Sequence, residues 1–234
     1  RYDTRLIARK IRDEFNAKLF YIDTAPRIDE IALLTPNQML GMKQPKVEII
    51  DMGKESSTAP HPTIGYTTSV AIEQTLEQNK RVICIYNKKE TSETINQTSV
   101  QGKQSYTKGF GNKSVANALK KLYPKATVSV IEKNASYDLN ADILVVTRHF
   151  YENIFNPFKQ SNFELVVDLN ADFCLFKPTL RAFEQAIISM QDWRGVAHAY
   201  NARFMLQTQS PELFESYLED PRKIFEKELQ ERIR

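Results

Sequence analysis

Three short runs constrain this chain more than any other feature. Arg81-Val82-Ile83-Cys84-Ile85-Tyr86, residues 142–147 and residues 163–169 are apolar at nearly every position, with no polar alternation. A strand with one wetted face alternates apolar and polar side chains, so a continuous apolar run must be covered on both faces. Strands of that kind belong to mostly parallel sheets. Parallel neighbours cannot be joined by a tight turn and need a crossover, usually a helix.

The rest of the chain supplies those crossovers. Residues 66–79 carry Ile72 and Leu76 one turn apart, and residues 113–122 suit a helix closed by Pro124. A helix starting at Pro178 places Leu180, Phe183, Ile187 and Met190 on one face, and residues 211–218 and 221–233 read as two more. Residues 5–17 predict an amphipathic helix through Leu6, Ile7, Ile11 and Phe15. Further strands are predicted at Leu19–Ile22, Val47–Asp51, 127–131 and Phe204–Leu206. Alternation of the two element types predicts an α/β fold, a mostly parallel sheet with helices on both faces. Gly53, two serines, Pro60 and Pro62 make residues 52–63 the best linker candidate, and the polar stretch 90–108 reads as a surface loop.

Composition narrows the function class. No run of about 18 apolar residues exists, so no membrane-spanning helix is expected. Arg1-Tyr2-Asp3-Thr4-Arg5 has neither an initiator Met nor a signal-peptide pattern, which leads us to expect the interior of a longer, cytoplasmic protein. Cys84 and Cys174 sit in apolar runs and read as buried thiols in a reducing compartment. The three histidines have no metal-like spacing, and zinc is not expected. A net charge of +3 and a pI of about 8.7 permit nucleic-acid binding without demanding it.

Several phrases occur in the order of a known family. Residues 170–184, Asn-Ala-Asp-Phe-Cys-Leu-Phe-Lys-Pro-Thr-Leu-Arg-Ala-Phe-Glu, follow an A-D-x-x-L-F-x-P-x-x-R-A-x-E pattern. Leu206-Gln207-Thr208-Gln209-Ser210-Pro211-Glu212 follows L-Q-T-x-x-P-E, and residues 225–232 resemble F-Y-x-x-E-L-x-x-R. Upstream, Arg1-Tyr2 with Arg5 and Ala8, Ile49-Ile50-Asp51-Met52, Val82 to Lys89, and Gly109-Phe110-Gly111 with Leu119 and Tyr123-Pro124 are collinear with weaker family phrases. The chain thereby resembles the primosomal protein N-prime family of superfamily 2 replication-restart DNA helicases, across nearly its whole length. The resemblance implies the tail of a first RecA-like lobe at residues 1–55, a second RecA-like lobe at 64–200, and the start of a C-terminal domain at 201–234.

The same comparison implies which residues meet ligands. Asn87, Lys88, Lys89, Thr147 and Arg148 would contact DNA at strand ends, while Asp172, Arg181, Arg194 and Gly195 would face a nucleotide between lobes. The family's arginine fingers lie in Q-x-x-G-R-x-G-R. In register this chain reads Asp192-Trp193-Arg194-Gly195-Val196-Ala197-His198-Ala199, with Val196 and Ala199 at the finger positions and Asp192 bringing negative charge toward phosphates. Fingers contribute about 10³–10⁵ in rate in related systems. The motifs S-A-T-P-S and G-T-Q-M are altered to Asp23-Thr24-Ala25-Pro26-Arg27 and Val146-Thr147-Arg148-His149. The family's zinc-binding insertion is replaced by the cysteine-free residues 91–108. Gly109-Phe110-Gly111-Asn112-Lys113-Ser114 lacks the Gly before Lys of a phosphate loop, and reads as a turn before a helix N-terminus.

The expectation is therefore a helicase-like protein of the primosome that binds branched or single-stranded DNA and has lost its own ATPase. Other restart proteins and single-stranded DNA-binding protein are the expected partners. ATP and Mg would enter only with an upstream lobe. The alternative is an active 3'–5' helicase whose ATP-binding lobe lies outside this chain.

Overall fold

In the computed structural model, residues 4–17, 45–55, 58–87, 111–133, 135–158, 161–176, 181–220 and 230 are described. Helix α1 spans Thr4–Phe15. Strand β1, Val47–Asp51, runs into a helical turn at Met52–Glu55, then α2, Tyr66–Glu77, and β2, Arg81–Ile85. Next come α3, Asn112–Leu122, then β3, Val128–Ile131, and β4, Ile143–Val146. The short α4, Arg148–Asn153, leads to β5, Phe163–Asp168, and a 3-10 turn at Ala171–Cys174. Helix α5, Ala182–Ala199, β6, Arg203–Thr208, and α6, Pro211–Glu219, follow. The expected strand at 19–22, the loop at 90–108, the start of a helix at Pro178 and nearly all of the helix at 221–233 fall outside the described residues.

The six strands form one sheet in the order β1-β6-β5-β2-β4-β3, and every pairing is parallel. The reason is visible in β2. Val82, Ile83, Cys84 and Ile85 are all 0% exposed, so both of its faces are covered. Ile83 and Ile85 pack with Leu144, Val166 and Phe204 against Phe150 of α4, Ile187 and Trp193 of α5, and Phe214 of α6. Val82 and Cys84 pack with Val145, Leu165 and Met205 against Ile72 of α2 and Leu119 of α3. The α/β architecture with helices on both faces is as the alternating runs predict.

Direction explains which helix covers which face. The steps β1 to β2 and β2 to β3 run toward one edge of the sheet, and β4 to β5 and β5 to β6 run toward the other. If all crossovers share one hand, reversing direction moves the connecting helix to the opposite face. That is the observed division between α2 and α3 on one side and α4 and α5 on the other.

One sheet draws on all three expected segments, since β1 pairs with β6 and β6 with β5. The stretch read as a linker is corrected. Composition at residues 52–63 signals a spacer, but His61 and Ile64 form an antiparallel bridge and Ile64 is 0% exposed. Buried Gln207 of β6 fixes it: its Oε1 accepts the Gly65 N–H at 2.7 Å, and its Nε2 donates to the carbonyls of Thr63 at 2.9 Å and Leu169 at 3.2 Å. Glu55 adds a carboxylate acceptor for the Thr67 N–H at 3.1 Å, at the start of α2. A second correction concerns Cys174. Cys84 is buried as expected, but Cys174 is half-buried because it lies on the 3-10 turn beyond β5 rather than in a strand. Among the described residues no helix is long and apolar enough to cross a membrane.

Gln207→Leu keeps the volume and removes three hydrogen bonds. It should cost about 2–4 kcal/mol, because the partners it abandons are largely cut off from water. Urea unfolding followed by fluorescence of Trp193, the single tryptophan, measures this. A loss under about 1 kcal/mol would show that the segment is held by something else.

Candidate functional site

All strands being parallel, their carboxyl ends share one edge, and there the crossovers change face. From β2 the chain leaves toward α3 on one face, whereas its neighbours β4 and β5 lead to α4 and α5 on the other. Sheets of this kind open a crevice at such a point. A cleft of about 730 Å³ lies there, lined by Asn87 beyond β2, Asn112 at the start of α3, Thr147 and Arg148 beyond β4, Phe173 on the 3-10 turn and Ser189 of α5.

Of the expected DNA contacts, Asn87, Thr147 and Arg148 meet in this cleft, and Lys88 and Lys89 lie outside the described residues. Arg148 opens α4, a helix the sequence patterns did not reveal, and Thr147 is its N-cap. The Arg148 N–H donates to Asn87 Oδ1 at 2.9 Å, tying the ends of β2 and β4 together. Its guanidinium donates to Asp192 at 2.5 Å and to Glu152 at 3.1 Å, and lies 4.6 Å above the Tyr151 ring. Burial alone would weaken the Arg148 charge. Asp192 and Glu152 outweigh it and hold the guanidinium above its ordinary pKa. Its charge is thus largely spent within the protein.

Asp192 was expected to carry its charge toward a bound phosphate. Instead it is 4% exposed, neutralised by Arg148 and holding the Tyr151 hydroxyl at 3.0 Å. The 44 residues separating Arg148 from Asp192 leave no local signal of the pair.

The residues expected at a nucleotide do not converge. Asp172 is 4% exposed at the cleft end of the sheet, accepting from the Thr208 hydroxyl at 2.5 Å and the Gln209 N–H at 2.6 Å. Arg181, just ahead of α5, pairs with Glu184 at 3.9 Å. Arg194 and Gly195 stand some three turns farther along α5, about 18 Å from its start at 1.5 Å per residue. Arg194 Nε donates to the Pro45 carbonyl at 2.7 Å, at the amino end of β1, and burial lowers its pKa. Val196, expected at one finger position, is 0% exposed within the core. Ala199, expected at the other, ends the helix half-buried.

Sequence reasoning missed Asp168, at the end of β5 and 3% exposed. Burial pushes its carboxyl up to about 7, the nearby Asp172 adds to this, and the Asn170 N–H at 3.1 Å opposes it. Its place at the end of an apolar run was the available signal. Among the described residues no cluster of His, Cys, Asp or Glu is arranged to hold a metal. No family model matches the chain, and no curated protein matches it.

The sign of the Asp168 effect follows from its raised pKa. From the ordinary value of 3.8 up to about 7, the folded chain keeps a proton that the unfolded chain has released. Stability from this group is therefore full below the ordinary value, falls as pH rises, and levels above about 7. Asp168→Asn keeps the acceptor for Asn170 and removes the titration. It should stabilise the fold near pH 8 by up to about 4 kcal/mol and have a far smaller effect near pH 4. Thermal melts across this range test it, and an equal effect at both ends would overturn the assignment.

Proposed function

We propose that this chain is a helicase-like module of the replication-restart type, which binds branched or single-stranded DNA at the carboxyl edge of its sheet and does not hydrolyse ATP unaided. The observation that carries the reading is where two of the nominated residues lie. The residues that the family resemblance nominates for DNA contact, Asn87 and Thr147, line the cleft where the crossovers change face. Lys88 and Lys89, which follow Asn87 in the sequence, keep positive charge beside it. Electrostatic attraction to phosphates supplies most sequence-independent DNA affinity.

Two features favour loss of hydrolysis. Val196 is enclosed by the core, so a charged finger there would need the helix to turn. Arg194, the arginine nearest in sequence, is bonded to Pro45 at the other end of the sheet. On this reading the module would act as a DNA-bound scaffold for other restart proteins.

Fluorescence anisotropy with a labelled fork, at about 50 and 200 mM salt, tests the proposal. Binding should weaken with salt, and Lys88→Ala/Lys89→Ala should reduce the log–log salt slope by roughly 1.5–2, as expected for two lost phosphate contacts. No DNA-stimulated ATP hydrolysis is expected. Absence of binding at the lower salt would sink the DNA assignment.

A further inference from the structure

We propose that the N-terminus of α3 is a subsite for a phosphate ester within the cleft. The inference goes beyond strand binding and stands on features of α3 that the DNA reading does not use.

Helix α3 has eleven residues and begins beside the cleft. Its N-cap, Gly111, has no side chain to satisfy the first amides, and no acidic residue occupies the first turn. The Val115 N–H donates to the Gly111 carbonyl at 3.1 Å. Such an end carries the positive pole of the helix dipole.

The second observation is Asn112. The residue is 0% exposed, yet it borders the cleft. Its Oδ1 accepts the Lys113 N–H at 3.0 Å, which fixes the orientation of the amide, because an NH2 group could not accept from that N–H. Nδ2 is buried without a hydrogen-bond partner. Buried donors are normally paired, and a phosphate oxygen at the helix end would complete this one. Glu132 also borders the cleft and would oppose an anion, but Lys113 lies 3.8 Å from its carboxylate, and Lys133 adjoins it. The nonbridging oxygens are common to a phosphodiester strand and to a free phosphomonoester.

The test is an amide-resolved NMR titration of the whole chain with inorganic phosphate, a deoxynucleoside monophosphate, and an oligothymidylate without a terminal phosphate. Saturable shifts of the Lys113 amide and the Asn112 side-chain NH2 are expected. A response to the oligothymidylate alone assigns a phosphodiester, and a response to phosphate or the monophosphate assigns a monoester. Asn112→Asp keeps the shape and the acceptor for Lys113 but replaces the donor with a negative charge, and should weaken binding about tenfold or more. Trp193 fluorescence checks that this variant is folded. Glu132→Gln, a second variant, removes the opposing charge and should tighten binding about threefold. The subsite is overturned if no probe shifts these amides saturably, or if folded Asn112→Asp binds as tightly as the parent. Fork binding by anisotropy with these amides unmoved would remove the subsite and leave the DNA reading standing.

Discussion

A parallel strand enclosed on both faces cannot reach its neighbour by a turn, and that restriction on β2 organises the molecule. Each step away from it requires a crossover, and a shared hand sorts the crossovers by direction. The chain moves first toward β3 and then back toward β6, so its helices divide between two faces. The cleft is the gap left where that division falls. Its position is thus a product of connectivity, and the side chains beyond β2, β4 and β5 determine its chemistry.

That chemistry is governed more by pairing than by net charge. Arg148 joins three elements at once, through its backbone to Asn87, through its guanidinium to Asp192 of α5, and along its own helix to Glu152. Removing Arg148 costs more than the set contributes, because the buried Asp192 carboxylate would lose its guanidinium partner. Asp172 is treated likewise, with a hydroxyl and a backbone N–H as partners. Asp168 is different: burial raises its carboxyl to about 7, the Asn170 N–H opposes this only in part, and the Asp172 carboxylate adds to it.

The strands were legible because burial on both faces writes itself into consecutive residues: the runs at 81–86, 142–147 and 163–169 contain β2, β4 and β5. Longer helices were legible from their period. Helix α4 was not, since six residues give too little repeat and Phe150 is its single buried side chain. The packing of residues 58–65 was hidden for another reason. Pro and Gly mark an irregular backbone, but they do not say whether a glutamine 142 residues away will hold it. Of the candidate site, Asn87, Thr147 and Arg148, which motif register groups at strand ends, line one cleft. Motif register also groups Asp172 with Arg194, which the length of α5 separates, because register carries no distance between elements.

The two cysteines differ in chemical access. Cys84 sits in the central strand, 0% exposed, and burial raises its thiol to about 12. The thiolate is the reactive form, so Cys84 is silent toward alkylating reagents while the sheet is closed. Cys174 is half-buried on the cleft lip. Modification of Cys84 therefore counts openings of the sheet, while Cys174 can react without them.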